Sequence, residues 1–179
     1  VGSIILPLLF ILSRAGFILG WARPVPYNPY NLRDHKYGDL KVAIGGPGTN
    51  FLLALIFGLV ARFMPLAGSL KETLAVGFFQ GDNSYLLSLT HGSMLSSLFV
   101  LSIIICFINL LLMIFNLVPI PPLDGSKILM AVLPYGWREK FYRIEPYGIF
   151  IILFLLMFGL FSLLWPVLIF LFSLITGVA

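Results

Sequence analysis

The chain has 179 residues, of which 60% are hydrophobic and only 10% are charged. A soluble globular domain carries about a quarter charged residues, so this composition excludes an ordinary soluble domain and favours one embedded in a lipid bilayer. The net charge of +4 does not indicate a nucleic-acid partner, because no basic patch alternates with aromatic residues. We expect a single membrane domain over residues 1–179.

Four apolar segments are candidates for crossing the bilayer, which takes about 20 helical residues. They cover residues 4–19, 42–63, 94–118 and 147–175. The first is short and contains Arg14, so it is either a full span or a re-entrant element. The last contains Pro166, where we expect a kink. The predicted fold class is all-α, a polytopic integral membrane helical bundle with three to four membrane segments.

Basic residues are unevenly distributed between these segments. Most lie in the first and last connections: Arg23, Arg33, Lys36, Lys41, Lys127, Arg138, Lys140 and Arg143. The positive-inside rule places both connections in the cytoplasm and the loop expected over residues 62–93 outside. The C-terminus is expected outside or in the outer headgroup region. The proline-rich segment 21–29 is expected to be extended, as an edge strand or a ledge at the membrane surface.

A stripe of small residues is predicted on the second segment. Gly46, Asn50, Ala54 and Gly58 recur every four residues, so they share one helix face, and small residues at this spacing let another helix approach closely. Asn50 lies within the stripe and has both donor and acceptor capacity. It is either a hydrogen-bonding residue between helices or part of a polar site.

A proline-rich break follows the third segment. Pro119, Pro121 and Pro122 cannot continue a helix, so we expect the backbone to unwind and to hold Asp124 on a rigid, non-helical support. Gly125 permits a tight turn after it. Asp124 is either a solvated carboxylate that caps a helix beginning near Ser126 or part of a metal site.

Polar residues of the third segment favour a polar interior near this break. Asn109 and Asn116 are seven positions apart, so they share a helix face. The single cysteine, Cys106, is expected to be a helix-packing residue.

The sequence from Asn116 to Gly125 resembles the Asn-x-x-Pro-x-Pro-Pro-Leu-Asp-Gly signature of the site-2 protease family, and Gly46 to Asn50 resembles its Gly-x-x-x-Asn element. These proteins are polytopic zinc metalloproteases that cut substrates within the membrane. Residues 20–26 are similar to the segment that follows the zinc helix in the short bacterial and archaeal branch. The resemblance implies that Asp124 is a zinc ligand. It also implies that the ligand or the substrate is positioned by Asn50, Asn116, Gly46, Pro122 and Gly125.

The chain lacks the His-Glu-x-x-His helix that supplies the other two ligands and the general base in this family. Its histidines, His35 and His91, are expected in loops on opposite sides of the membrane. We therefore expect the zinc helix and the catalytic Glu to lie upstream of Val1, and no catalytic residue within the chain, which would be truncated and inactive alone.

The leading hypothesis is an intramembrane zinc metalloprotease in the prokaryotic cell membrane, with its site near the cytoplasmic side. Its expected partners are the lipid bilayer and a membrane-spanning protein substrate. One alternative is a catalytically inactive relative that acts as a membrane scaffold or binding protein. A third hypothesis is a small transporter that uses the proline break as an ion site.

Overall fold

The computed structural model describes residues 38–178. The chain divides into two compact units, residues 1–35 and 36–179, and the described residues all belong to the second. The expectations for segment 4–19, for the proline-rich segment 21–29 and for His35 lie outside the described residues. The single membrane domain stays a prediction.

Helices make up the described part of the chain, and no strand occurs between residues 38 and 178. The helices are α1 (Gly38–Phe63), α2 (Gly68–Gln80), α3 (Asn83–Thr90), α4 (Met94–Asn116), α5 (Asp124–Val132), α6 (Tyr135–Ile144), α7 (Gly148–Met157) and α8 (Leu160–Thr176), with a 3-10 turn at Glu145–Tyr147 between α6 and α7. The all-α prediction is confirmed.

Two of these helices are long and apolar enough to cross a membrane, over Leu40–Phe63 in α1 and Met94–Asn116 in α4. They match the second and third predicted segments. Their outer faces expose large apolar side chains such as Leu52 and Leu101, as expected of helices that face lipid. The Ser93 hydroxyl caps the start of α4 by accepting a hydrogen bond from the Ser96 N–H.

The core lies where α1, α4 and α8 meet, with α2 packed against α4. Its α4 face is formed by one helical stripe of buried residues: Phe99, Ile103, Cys106 and Leu110. The predicted stripe of small residues contributes the opposite face, because Ala54 is fully buried. A Cβ on Gly58 would collide with Ile175 and lie 3.0 Å from the Cys106 sulfur. The small residues of α1 therefore permit a close three-helix junction, and Cys106 is a packing residue as predicted.

The expected loop over residues 62–93 is wrong, since most of it forms helices α2 and α3. Leu74 and Ala75 on α2 are fully buried in the core. Phe79 on α2 makes edge-on ring contacts with Phe107 on α4 and Phe172 on α8, with centroids 5.5 and 5.4 Å apart. Tertiary burial of these apolar residues stabilises helices too short to persist alone.

The last predicted segment forms two helices, and its sharpest bend is not at Pro166, where a kink was expected. Pro166 lies inside α8, and the chain instead breaks before that helix, between α7 and α8. Gly159 adopts a left-handed conformation there, with φ of 96°, and the two halves are bent by 80°. Glycine occupies this region of φ without a steric penalty, so it ends one helix and begins the next. The bent pair is either a broken span or a re-entrant element.

Cationic side chains satisfy the carbonyls at several helix ends. Arg62 Nη1 donates a hydrogen bond to the Leu174 carbonyl at 2.7 Å, near the end of α8, and Lys71 Nζ donates to the Arg62 carbonyl at 2.7 Å, at the end of α1. The C-terminal ends of α1 and α8 thus lie together, at the same end as the start of α2. Arg138 Nε likewise donates to the Leu133 carbonyl at 2.8 Å, after α5.

Candidate metal centre

The predicted break after α4 is confirmed, and it is a folded turn. The Ile120 N–H donates to the Val118 carbonyl at 2.8 Å, and the Leu123 N–H donates to the Ile120 carbonyl at 3.0 Å. The Pro121–Pro122 peptide bond is cis, which together with the second hydrogen bond makes a type VI turn. Pro122 is exposed at this turn.

Asp124 lies directly after the turn, but the expected non-helical support is wrong. Asp124 is the first residue of α5, with Leu123 as the N-cap, and the helix begins two residues before the expected start at Ser126. The Ser126 N–H and hydroxyl both donate to the Leu123 carbonyl, at 3.1 and 2.7 Å. This first helical turn fixes the Asp124 backbone, and a carboxylate is favoured at the positive end of a helix.

Gly125 allows the chain to fold back on itself behind Asp124. It is buried, and a Cβ at this position would collide with the carbonyl groups of Leu117 and Val118. Backbone therefore packs directly against backbone at this point, which only glycine permits. The predicted tight turn after Asp124 is in fact a close approach within the first turn of α5.

The carboxylate of Asp124 faces α1 at Gly46. A Cβ built on Gly46 would lie 2.9 Å from Asp124 Oδ2, which is closer than packed atoms normally approach. Helices α1 and α5 are in contact, and the absence of a side chain at Gly46 makes room for the carboxylate. The Gly-x-x-x-Asn element and the Asp-containing signature, 78 positions apart at Gly46 and Asp124, therefore meet in space.

The two asparagines predicted for the site lie on α1 and α4. Asn50 follows Gly46 by one turn of α1, so the two residues share a helix face. Asn116 is the last residue of α4. Both are partly exposed, and neither side chain hydrogen-bonds to another residue in the range 38–178. In contrast, Asn109 Nδ2 donates to the Ile105 carbonyl of its own helix at 2.8 Å.

Within residues 38–178, the Lys127 ammonium faces the carboxylate. Lys127 Nζ lies 3.6 Å from Asp124 Oδ1, and the two side chains are 39% and 30% exposed. At this exposure water screens the pair strongly, so it contributes little to stability. The two carboxylate oxygens thus have different surroundings, with Oδ1 toward Lys127 and Oδ2 toward Gly46.

The side chains of residues 38–178 can supply one ligand of a zinc site but not a complete set of ligands. A catalytic zinc takes three protein ligands, and no group of three His, Cys, Asp or Glu side chains comes together among these residues. Asp124 offers an accessible carboxylate oxygen donor, as such a site requires. His91 lies exposed in the turn between α3 and α4, as predicted, so further ligands would have to come from outside the described range.

Sequence reasoning did not identify two features of this site. The cis peptide bond has no distinct signal beyond the Pro-Pro pair itself. The Lys127 contact was detectable, because Asp124 and Lys127 are three residues apart in a helix and such pairs are neighbours on its surface.

Comparison with known proteins identifies the family. Residues 30–159 match the family model described as Peptidase family M50. The chain is 34% identical over 147 residues to YwhC of Bacillus subtilis, which its name describes as a candidate zinc metalloprotease; the match covers 81% of this chain and 58% of YwhC. It is 29% identical over 127 residues to zinc metalloprotease MJ0392 of Methanocaldococcus jannaschii, covering 70% of this chain and 29% of that protein.

The chain therefore spans little more than half of one relative and less than a third of the other. No solved structure matches it significantly. The family match nevertheless covers most of the chain, including Gly46, Asn50 and the whole proline turn. The chain belongs to Peptidase family M50, the site-2 protease family, and is an integral membrane protein.

Proposed function

We propose that the intact protein is a site-2-type zinc metalloprotease that hydrolyses peptide bonds of membrane-embedded substrates. One observation carries this proposal: the Asp124 carboxylate lies against Gly46 of a membrane-spanning helix, with Oδ2 2.9 Å from the Cβ position. The family membership and the names of both relatives support the same chemistry.

Asp124 would hold the zinc ion together with two ligands supplied from outside the described residues. When bound, zinc supplies Lewis acidity and activates water for attack on an amide. The remaining contributions come from this chain. Gly46 leaves space for the carboxylate. Gly125 lets the start of α5 pack against the backbone of Leu117 and Val118. The turn at Pro121 and Pro122 directly precedes the start of α5.

Asn50 and Asn116 would position the substrate. Their amides have no hydrogen-bond partner among residues 38–178, and both are partly exposed, so they can donate to or accept from an added peptide backbone. A substrate helix has its own amides paired and must unwind locally before it is cut. The Asn50 side chain in the middle of α1 and the Asn116 side chain at the end of α4 would form hydrogen bonds with the unpaired backbone groups of such a substrate.

The substrate is, on this proposal, a membrane-spanning protein, and the site lies near the cytoplasmic side of a prokaryotic cell membrane. The start of α1 and helix α5 share one end of the bundle. This end, together with α6, carries five basic residues: Lys41, Lys127, Arg138, Lys140 and Arg143. The opposite end carries two, Arg62 and Lys71. The positive-inside rule favours the cytoplasm for the more basic end. Both relatives are prokaryotic.

The test uses the protein from the complete open reading frame, purified in detergent or nanodiscs. We expect about one zinc per chain, and we expect Asp124→Asn to lose most of it, because the isosteric amide removes the charge that binds the metal. Cleavage of a reconstituted membrane-spanning substrate should fall at least about a hundredfold in the same variant.

The matched control is Glu139→Gln, which removes a carboxylate that is 63% exposed and pairs with Arg143 at 2.9 Å. It should keep both zinc and activity. Equal zinc content in the wild type and in Asp124→Asn would reject Asp124 as a ligand. An intact wild type that carries no zinc and cleaves no substrate would instead favour the inactive membrane scaffold.

A further inference from the structure

We infer that Gly148, the first residue of α7, is a positioning residue for Asp124. This inference rests on the proposed function, because it concerns how the carboxylate is held for zinc. Gly148 is buried, and a Cβ at this position would collide with the Pro121 carbonyl and lie 2.9 Å from the Pro121 Cβ. The start of α7 thus packs directly against the proline turn.

The backbone conformation shows that this glycine is not needed for its flexibility. Gly148 has φ of −56° and ψ of −41°, which are ordinary helical values that alanine adopts readily. Alanine is also the better helix former. The contact with Pro121 is therefore the physical reason for glycine, and an alanine substitution tests that contact in isolation.

Two such close approaches, at Gly125 and at Gly148, pack against the turn that leads into Asp124. Gly125 packs on the carbonyls of Leu117 and Val118, and Gly148 packs on that of Pro121. Between these contacts the Leu123 N–H donates to the Ile120 carbonyl at 3.0 Å. A displacement of Pro121 would therefore be transmitted through Leu123, the N-cap of α5, to Asp124.

The experiment measures metal binding in the protein from the complete open reading frame with Gly148→Ala. We expect zinc to bind about tenfold more weakly in competition with a chelator, the lower end of what loss of a supporting contact costs a metal site. The visible absorption bands of the cobalt-substituted protein, which report ligand geometry, should also shift. Gly136→Ala is the matched control, since no atom lies within 4 Å of a Cβ at Gly136.

A double-mutant cycle separates positioning from a purely structural role. In the Asp124→Asn background, Gly148→Ala should change the residual metal affinity by less than about twofold, because its effect acts through the carboxylate. Equal effects in both backgrounds would overturn the inference. It would also be overturned if Gly148→Ala left zinc affinity and the cobalt spectrum unchanged, or if neither background assembled in the membrane with this substitution.

The same cycle distinguishes the two proposals. If Asp124→Asn weakens zinc binding but Gly148→Ala does not, the positioning role fails and the proposed function stands. If Asp124→Asn itself has no effect on zinc binding, the ligand assignment fails and the positioning role fails with it.

Discussion

Asp124 Oδ2 lies 2.9 Å from the point where a side chain on Gly46 would begin. A methyl group on residue 46 would come closer to Oδ2 than packed atoms normally approach, so the carboxylate would have to move to accommodate any larger residue there. A motif on one spanning helix thus fixes where a potential metal ligand on another helix can lie.

The first prediction concerns Gly46→Ala in the intact protein. The added methyl group pushes the Asp124 carboxylate away from α1, so we expect zinc affinity to fall about tenfold, with a comparable loss of proteolysis. Chelator competition and a cleavage assay measure the two effects.

Gly45→Ala is the neighbouring control, since no atom lies within 4 Å of a Cβ at Gly45. It should retain zinc, and its stability should not fall, because alanine is favoured over glycine inside a helix by about 0.5–1 kcal/mol. Equal zinc loss in both variants would show that the helix, and not the contact with Asp124, is responsible.

The second prediction separates the two interpretations of Asn50. If Asn50 were a bridge between described helices, it would have a partner there, and its replacement would cost about 0.6 kcal/mol of stability. It has no such bond among residues 38–178, so we expect Asn50→Leu to keep its thermal stability and its zinc while kcat falls about tenfold or more.

The comparison variant is Asn109→Leu. Its amide bonds to the Ile105 carbonyl of its own helix at 2.8 Å, so its loss should leave kcat within about twofold of wild type. A fall in the melting temperature of Asn50→Leu without any change in kcat would support the interhelical role instead.

Much of the fold could be predicted because lipid-facing helices have a simple signature. The runs that became α1 and α4 are apolar on every face and of bilayer length, so their bounds were predicted to within a few residues. Helices α2 and α3 were not predicted, because residues such as Leu74, Ala75 and Phe79 acquire their role only through contact with α4 and α8. That information is not local in the sequence.

In the candidate site, too, some features follow from local sequence and others depend on how the helices pack. The prolines predicted a break, and the spacing of Gly46 and Asn50 predicted a shared face, both from local rules. The contact between Gly46 and Asp124 depends on how α1 and α5 pack, and so does the role of Gly148. The position of the break in the last segment was missed for a related reason, because Pro166 was a stronger local signal than Gly159.

The third prediction concerns Lys127, whose ammonium lies 3.6 Å from Asp124 Oδ1. It competes with a metal cation for the carboxylate, although water screens the pair. We expect Lys127→Met to tighten zinc binding about two- to fivefold at low salt, with the difference shrinking as salt is added.

Lys140→Met is the control for net charge, because Lys140 lies over the Trp137 ring at 4.9 Å and not beside Asp124. It should leave zinc affinity unchanged. Weaker zinc binding in Lys127→Met would show that the lysine supports the site and does not compete for it.

The fourth prediction concerns the opposite end of the bundle, where Arg62 Nη1 donates to the Leu174 carbonyl at 2.7 Å. Arg62→Met removes a cation from the C-terminal end of α8, where the helix dipole favours positive charge. We expect a loss of about 1 kcal/mol of stability, seen as a lower melting temperature, with zinc affinity unchanged because Asp124 lies at the other end.

Arg143→Met is the matched control. Arg143 pairs with Glu139 at 2.9 Å, but both side chains are highly exposed, at 77% and 63%, so the change should cost less than about 0.5 kcal/mol. If Arg62→Met lowered zinc affinity as much as Gly46→Ala does, a change at one end of the bundle would alter the metal site at the other end. A lower melting temperature with unchanged zinc affinity would show that the Arg62 contact between α1 and α8 stabilises the fold without affecting the site.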